Sequence, residues 1–394
     1  MKWAALLLAA LLVGCGHMTR QEPEPAATAL PREPLRAAVD RLVGPVLAGH
    51  ETPGLIVGVA TPDGRRHFFA YGQGETDGAP LGPDTRFPIG SLTKGYTAAL
   101  LGVLVDEGVL RWDETLGELL PQLKLTPQAA RLTLLQLATH SAGLPRQPTD
   151  LGLLTGLLRF TFTGSNFYAV LDADGLARFM AGFTPPAHPE PAYSNIGYAL
   201  IGMAIEARTG RPLDALLADK VLAPLQLAHT GFEPGEGHRA QGHAGDQPYF
   251  MPRGRPVSDW RFPPAMQGSA ALYSTAADLL DFAVAHLDAG AGHLNTLLAD
   301  NLRVRRPQPQ DAPGIAWVTD DFDGIAIANQ VGMAVGHTSY VGVHRESRMA
   351  VVVLQTSFNW NFKIGHKLLL RLVRGRIDWQ APAPIIAAGR ADRE

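Results

Sequence analysis

The segment Phe87-Pro-Ile-Gly-Ser-Leu-Thr-Lys-Gly95 places a serine and a lysine three residues apart at the start of an apolar stretch. A serine hydroxyl is a weak nucleophile until a neighbouring group takes its proton. Residues three apart on a helix share one face, so the amine of Lys94 can reach the hydroxyl of Ser91. Burial would lower the pKa of that amine towards the range in which it acts as a base. The spacing therefore predicts Ser91 as a nucleophile and Lys94 as its base.

This spacing is informative because the chain is poor in both residue types. Ten serines and six lysines in 394 residues predict about 0.15 occurrences of Ser-x-x-Lys by chance, and the sequence contains one. The alternative is a serine that caps a helix, followed by an exposed lysine on the first turn. The motif alone leaves both interpretations open.

A second motif, Tyr193-Ser194-Asn195, adds acid–base chemistry. A phenol beside an ammonium group loses its proton more easily, so Tyr193 can serve as a base. The amide of Asn195 can hold a substrate carbonyl or the lysine. The alternative is an ordinary half-buried aromatic residue followed by a turn asparagine. The presence of both motifs in one chain favours acyl-transfer chemistry.

Composition limits the class of protein. A chain of 394 residues with 46% hydrophobic content can bury a large core, in one large domain or in two closely packed ones. A net charge of −3 provides no basic surface for nucleic acid. No cofactor motif is present. His238 and His243 lack partners at metal-ligand spacing, so we expect them at the surface and predict no metal site.

The N-terminus has the features of a targeting segment. Residues 1–14 combine a positive start with an apolar run too short to span a bilayer, which predicts a signal peptide. The only cysteine, Cys15, follows Leu12-Val13-Gly14, a pattern that resembles the lipobox of bacterial lipoproteins. Under the lipoprotein interpretation, Gly16 in the next position indicates sorting to the outer membrane of a Gram-negative cell. The sequence therefore predicts a periplasmic protein that is lipid-anchored through a flexible tether over residues 15–34. The alternative is a soluble-secretion signal in which the cysteine is incidental.

The hydrophobic pattern predicts one α+β domain over residues 35–380, followed by a tail over 381–394. A helix over 35–48 and a hairpin over 55–71 begin it, and residues 112–265 form a large, mostly helical region. Further predicted elements are helices over 93–107, 196–209, 278–287 and 362–374 and strands over 315–317, 324–328, 339–343 and 349–354. Strands at both ends with helices between them predict an antiparallel sheet flanked by helices, carrying a helical insertion.

Residues 231–264 are rich in glycine and proline and too long for a simple connection. Loops of this length often cover a binding cleft. The segment is therefore either a rim or lid over a cleft, or a packed surface loop.

Three further segments, 134–145, 224–232 and 271–278, flank the two motifs in a recognisable order. With them the chain resembles the class C β-lactamase and penicillin-binding-protein superfamily of serine hydrolases, over roughly residues 37–375. The resemblance implies the β-lactamase/transpeptidase-like fold, in which an antiparallel sheet with flanking helices lies beside an all-helical region. The active serine of that fold lies between the two.

The resemblance also implies roles for particular residues. Ser91 would be the nucleophile and Lys94 its base or base partner. Tyr193 would act first as a general base and then as a general acid. Asn195 and Gln147 would bind substrate, the latter matching a glutamine that contacts the acyl side-chain amide in the β-lactamases.

A third family motif, Lys-Thr-Gly or His-Thr-Gly on a strand facing the serine, is altered here. In the family, this motif precedes the last strand by a set spacing. That spacing places the motif at Gln330-Val331-Gly332 in this sequence, and the alternative position is His337-Thr338-Ser339. In the preferred register Gln330 and Gly332 would contact substrate, although Gln330 donates hydrogen bonds without carrying charge. The oxyanion hole would use the backbone N–H groups of Ser91 and Met333.

Together these features predict a lipid-anchored serine hydrolase that works through an acyl-enzyme at Ser91. Candidate substrates are D-Ala-D-Ala peptides of peptidoglycan, β-lactams and small esters. The run Leu144-Pro-Arg-Gln147 resembles periplasmic carboxypeptidases and favours the cell wall. The alternative is a catalytically weak or inactive penicillin- or muropeptide-binding lipoprotein, suggested by Gln330. The motifs of α/β-hydrolases and zinc proteases are missing.

Overall fold

The computed structural model describes residues 32–72, 74, 80–148, 151–308, 310–359 and 364–381. The predicted signal peptide, Cys15 and most of the expected tether lie outside these ranges. Within them, no helix has both the length and the apolar content needed to cross a bilayer.

Helices and strands both occur along the described residues, and most of the helices lie between the strands at the two ends. The α-helices are α1 (Leu35–Ala48), α2 (Thr93–Asp106), α3 (Leu116–Leu119), α4 (Leu134–Ala138), α5 (Leu151–Thr163), α6 (Ala173–Gly182), α7 (Asn195–Thr209), α8 (Leu213–Leu217), α9 (Gln267–Ala270), α10 (Ala276–Ala285), α11 (His293–Asn301) and α12 (Ile364–Val373). The strands are β1 (Glu33–Pro34), β2 (Gly54–Ala60), β3 (Arg66–Gly72), β4 (Phe87–Pro88), β5 (Gly242–His243), β6 (Pro256–Val257), β7 (Tyr273–Ser274), β8 (Ala312–Pro313), β9 (Val318–Phe322), β10 (Ile325–Ala334), β11 (His337–His344), β12 (Met349–Gln355) and β13 (Ile377–Asp378).

The main sheet has the strand order β3-β2-β12-β11-β10-β9-β8. Every neighbouring pair in it is antiparallel. The helices between β3 and β8 in the chain form the large helical region. The predicted fold class, an antiparallel sheet flanked by helices with a helical insertion, is confirmed.

Both faces of the central strands are buried, and successive side chains alternate between two cores. In β2, Leu55, Val57 and Val59 pack with residues of α1 and α12. Ile56 and Ala60 pack instead with residues of the helical region, including those of α10. A strand covered on both faces needs no polar alternation, which explains why this segment is a continuous apolar run in the sequence.

The predicted tether over residues 15–34 is too long at its C-terminal end. Glu33–Pro34 forms β1, which pairs in parallel with β13. The carboxylate of Glu33 accepts hydrogen bonds from Arg41 and from Arg371, each at 2.7 Å. The ordered domain therefore begins before residue 35, because these ion pairs fix the chain at Glu33.

Two other sequence predictions are wrong. Residues 315–317 form no strand, since Ala316 adopts a positive φ of 65° and its N–H donates to the carbonyl of Ala138. His243 is buried rather than exposed, because it lies in β5 with its Nδ1 3.0 Å from the carbonyl oxygen of Thr356. His238 is exposed, as expected.

The turn that carries Ser91 lies between β10 and the helical region. A single 3₁₀ turn, Gly90–Leu92, precedes α2 and packs directly on β10. Gly90 has a φ of 52°, and a Cβ on Gly90 or on Gly332 would lie well inside van der Waals contact with the facing backbone. The hydroxyl of Ser339 donates to the carbonyl of Ile89 at 2.9 Å. The two glycines thus allow the serine turn and the strand to approach more closely than side chains would permit.

Candidate active site

The amine of Lys94 is within hydrogen-bonding distance of the Ser91 hydroxyl, at the junction of three helices. Its Nζ is 3.1 Å from Ser91 Oγ, 2.9 Å from the Oδ1 of Asn195 and 2.8 Å from the carbonyl oxygen of Ser269. Lys94 is only 1% exposed. The structure therefore brings together three of the predicted site residues, and it adds the backbone of α9, which sequence reasoning missed.

The surroundings of Lys94 favour its neutral form. Burial, and secondly the positive charge of Arg146, holds the pKa of Lys94 well below its usual value. A neutral amine has two N–H groups and one lone pair. The carbonyl oxygens of Asn195 and Ser269 can only accept, so they take the two N–H groups, and the lone pair is left to accept the proton of the Ser91 hydroxyl. This is the arrangement of a general base with its nucleophile.

The ring of Tyr193 lies between the positive groups and a buried histidine. Its centroid is 4.8 Å from Lys94 Nζ and 4.8 Å from the guanidinium carbon of Arg146. The ring of His140 lies 4.7 Å away on a tilted plane. The structure therefore places Tyr193 next to Lys94, in the cavity that Ser91 also lines, and its acid–base role remains a prediction.

His140 joins the two loops that carry the site. Its Nδ1 accepts a hydrogen bond from the N–H of Ser194 at 3.1 Å, and its carbonyl accepts one from Ala192 at 2.8 Å. Burial, assisted by the charges of Lys94 and Arg146, lowers the pKa of His140 to about 3. The ring is therefore neutral near pH 7 and keeps Nδ1 as an acceptor. Its role was missed, because its partners lie about 50 residues away in the chain.

Tyr168 connects two predicted substrate-binding residues. Its hydroxyl accepts a hydrogen bond from Asn195 Nδ2 at 2.7 Å and donates one to Gln147 Oε1 at 2.9 Å. Asn166 caps the short helical turn that carries it, by accepting from the Tyr168 N–H at 2.9 Å and donating to the carbonyl of Arg261. No sequence motif marks Tyr168, so it was not among the predicted residues.

The predicted residues of the altered third motif lie on β10 beside the serine turn. The side chain of Gln330 packs against the first turn of α2, where a Cβ on Gly95 would lie 2.6 Å from its Nε2. Gly332 faces Ile89, and the backbone of Met333 packs against Gly90. Their roles in substrate binding and in the oxyanion hole remain predictions.

The alternative residue, His337, lies elsewhere. It begins β11, where it is buried and has its Nε2 3.4 Å from Asp259 Oδ1. Its ring also makes an edge contact with Phe87. It is not among the residues that line the cavity beside Ser91. The geometry therefore favours Gln330 over His337 as the strand residue opposite the nucleophile.

A cavity of about 470 Å³ opens over Ser91, Lys94 and Tyr193. One side of it is a wall of aromatic rings, and Gln147, Gln330 and Met333 also contribute to its lining. The segment 231–264 supplies Trp260 and Phe262 to that wall. This position agrees with the hypothesis that the segment forms the rim of a cleft.

A family model described as Beta-lactamase matches residues 39–374. The chain belongs to the beta-lactamase family. It is 30% identical over 329 residues to Penicillin-binding protein 4 of Amycolatopsis lactamdurans, covering 77% of this chain and 81% of that protein. It is 24% identical over 297 residues to the D-alanyl-D-alanine-carboxypeptidase/endopeptidase AmpH of Escherichia coli (strain K12), covering 71% and 72%.

A solved structure agrees with this membership. The class C beta lactamase from Rhodobacter sphaeroides superposes with a TM-score of 0.72 at 22% identity, covering 85% of this chain and 99% of that one. The fold prediction is thus confirmed, and so is the prediction that this member of the beta-lactamase family is a serine hydrolase.

Replacing Arg146 by Gln should move the pH dependence of acylation. The charge of Arg146 lowers the pKa of Lys94, so removing that charge raises the pKa and leaves a smaller neutral fraction at a given pH. The rising limb of kcat/KM against pH for a p-nitrophenyl ester should therefore shift to higher pH. Arg66→Gln is the matched control, since that guanidinium pairs with Asp281 away from the cavity lining. An unmoved limb, or one that shifts to lower pH, would contradict this coupling.

Proposed function

We propose that this protein hydrolyses ester or amide bonds through an acyl-enzyme formed on Ser91. The observation that carries the proposal is the hydrogen-bonding of Lys94, whose N–H groups are occupied by Asn195 and Ser269. The lone pair of a neutral Lys94 therefore faces the Ser91 hydroxyl at 3.1 Å. A base held in this way needs no rearrangement before it takes the proton.

The proposed reaction has two half-reactions. Ser91 Oγ attacks the carbonyl carbon while its proton passes to Lys94, and the resulting oxyanion binds the backbone N–H groups of Ser91 and Met333. One such donor typically stabilises the transition state by about 2.7–4 kcal/mol. The leaving alcohol or amine departs with a proton relayed through Tyr193. Water then attacks the acyl group, which leaves as the acid and restores the Ser91 hydroxyl.

The substrate candidates are D-Ala-D-Ala peptides, β-lactams and small esters. The names of the relatives support the first two. However, β-lactams and D-Ala-D-Ala peptides end in a carboxylate, and Gln330 supplies an amide without charge at the strand beside Ser91. The cavity is also walled mainly by apolar groups. We therefore place uncharged esters first and expect slow turnover of β-lactams.

The second candidate is a penicillin- or muropeptide-binding protein with little turnover. Gln330 is the observation that favours it, because an uncharged amide in place of the motif's cationic or imidazole residue stabilises the transition state of a carboxylate-bearing substrate less and slows its turnover. The two candidates differ in whether an acyl group on Ser91 is hydrolysed.

We also propose that the chain is a lipoprotein of the periplasmic face of the outer membrane, anchored through Cys15. The support is the sequence of residues 1–16, in which an apolar run ends at the only cysteine. A lipid anchor would hold the catalytic domain near the cell envelope on the segment before Glu33.

Ser91→Ala should abolish formation of the acyl adduct. Purified protein is incubated with a fluorescent penicillin or an activated ester, and the intact mass is followed over time. The wild type should gain and then lose the acyl mass, whereas Lys94→Met should acylate roughly 10²–10⁴-fold more slowly, the usual contribution of a positioned base. Ser258→Ala, at an exposed serine, is the control and should behave as the wild type. Undiminished labelling of Ser91→Ala would exclude the proposed nucleophile, and an adduct that never hydrolyses would favour the binding protein.

Cys15→Ala should abolish lipidation. Expression of the full chain in a Gram-negative host with a radioactive fatty acid should label the wild type in the outer-membrane fraction. The variant should lose the label, because no other cysteine exists to carry the lipid. A wild-type chain recovered unlabelled in the soluble periplasmic fraction would favour the soluble-secretion alternative.

A further inference from the structure

The amide of Asn195 has both of its polar atoms occupied by protein groups. Its Oδ1 accepts from Lys94 at 2.9 Å, and its Nδ2 donates to the hydroxyl of Tyr168 at 2.7 Å. That hydroxyl in turn donates to Gln147 Oε1 at 2.9 Å. All four residues are buried, with exposures between 1% and 8%. The two side-chain amides beside the nucleophile are therefore connected to each other through Tyr168.

Tyr168 also belongs to an aromatic wall, which we define as Phe160, Phe167, Tyr168, Trp260 and Phe262. Each of these rings lines the cavity. The centroids of neighbouring rings are 4.3–6.0 Å apart, mostly in edge or tilted contacts. The indole N–H of Trp260 donates to the carbonyl of Gly164 at 2.8 Å, so its polar atom is occupied inside the protein. The wall therefore presents apolar ring surface to a ligand.

We propose that this wall and the Tyr168 hydroxyl form an acyl-group site for aromatic or branched aliphatic acids that carry no amide next to the reacting carbonyl. An amide entering here would find Asn195 Nδ2 and Gln147 Oε1 already bonded to Tyr168, so it would compete with those hydrogen bonds or lie against the apolar rings, and both are unfavourable. An apolar group gains contact with the rings instead. The inference rests on the proposed acyl-enzyme at Ser91 and names the substrate class as esters of arylalkanoic or bulky alkanoic acids.

A matched pair of esters tests the proposal. The p-nitrophenyl esters of phenylbutanoic acid and of hippuric acid have the same chain length, and they differ in that hippurate has an amide where phenylbutanoate has two methylenes. Each kcat/KM is divided by the rate of hydroxide-catalysed hydrolysis of the same ester. The wild type should favour phenylbutanoate by about tenfold or more, as expected for an unpaired amide in a dry site. A preference for hippurate would overturn the proposal.

The variant Tyr168→Phe keeps the ring and removes the hydroxyl. It frees Asn195 Nδ2 and Gln147 Oε1 to bind a substrate amide, so the preference for phenylbutanoate should fall by about tenfold. Any change in the position of Lys94 acts on both esters alike and cancels in the ratio. The control is Tyr249→Phe, at a tyrosine that is 67% exposed, and it should leave the ratio unchanged. An unchanged ratio in Tyr168→Phe would also overturn the proposal.

Binding to Ser91→Ala separates this inference from the proposed function. That variant cannot be acylated at Ser91, and quenching of tryptophan fluorescence reports the affinity of each ester. Tighter binding of phenylbutanoate supports the acyl-group site even where turnover is slow. Equal or weaker binding of phenylbutanoate, or no binding of either ester, overturns the site. Hydrolysis of the esters by Ser91→Ala would instead exclude the proposed nucleophile.

Discussion

The burial of one amine, Lys94, is the constraint on which the arrangement of this site depends. Removing a charged ammonium group from water is strongly unfavourable unless it is fully paired, so burial lowers the pKa of a lysine and requires partners for its N–H groups inside the protein. Here a side-chain carbonyl from α7 and a backbone carbonyl from α9 meet those N–H groups. The three helices must therefore converge at one point, and the Ser91 hydroxyl lies 3.1 Å from the amine. In the proposed mechanism, the contacts that hold the amine in the core also prepare it as a base.

The other groups of the site pack around the buried Lys94 amine. The serine turn packs closely on β10, because Gly90 and Gly332 present no side chains to the facing backbones of Met333 and Ile89. The ring of Tyr193 lies against the amine, Arg146 lies against the same ring, and the charge of Arg146 lowers the pKa of Lys94 further. The amide that holds Lys94 is itself oriented by Tyr168. In the proposed mechanism, selection of the acyl group and orientation of the base are thereby linked through Asn195.

The sequence predicted the parts of the fold and site that depend on local patterns. The helices over 35–48 and 196–209 were predicted to within one residue, since their apolar periodicity and terminal residues are local. Ser91 and Lys94 could be paired because three residues on a helix fix their separation. The family resemblance related Tyr193 and Asn195 to them.

The remaining features depend on tertiary contacts that no local pattern encodes. Tyr168 meets Asn195 across 27 residues of chain, and Lys94 meets Ser269 across 175. The error at residues 315–317 has the same origin, because Ala316 leaves the extended conformation to bond with Ala138 of α4. The early start of the domain at Glu33 likewise depends on a partner, Arg371, at the other end of the chain.

Nuclear magnetic resonance of the lysine side chains can test directly whether the pKa of Lys94 is lowered. The protein is labelled with carbon-13 at the lysine ε-carbons, and the Lys94 signal among the six lysines of the sequence is assigned by its loss in Lys94→Met. This carbon should titrate well below the usual range of a lysine amine, because burial and the charge of Arg146 lower the pKa of Lys94. A Lys94 signal that titrates in the usual lysine range would contradict the assignment of Lys94 as the base of Ser91.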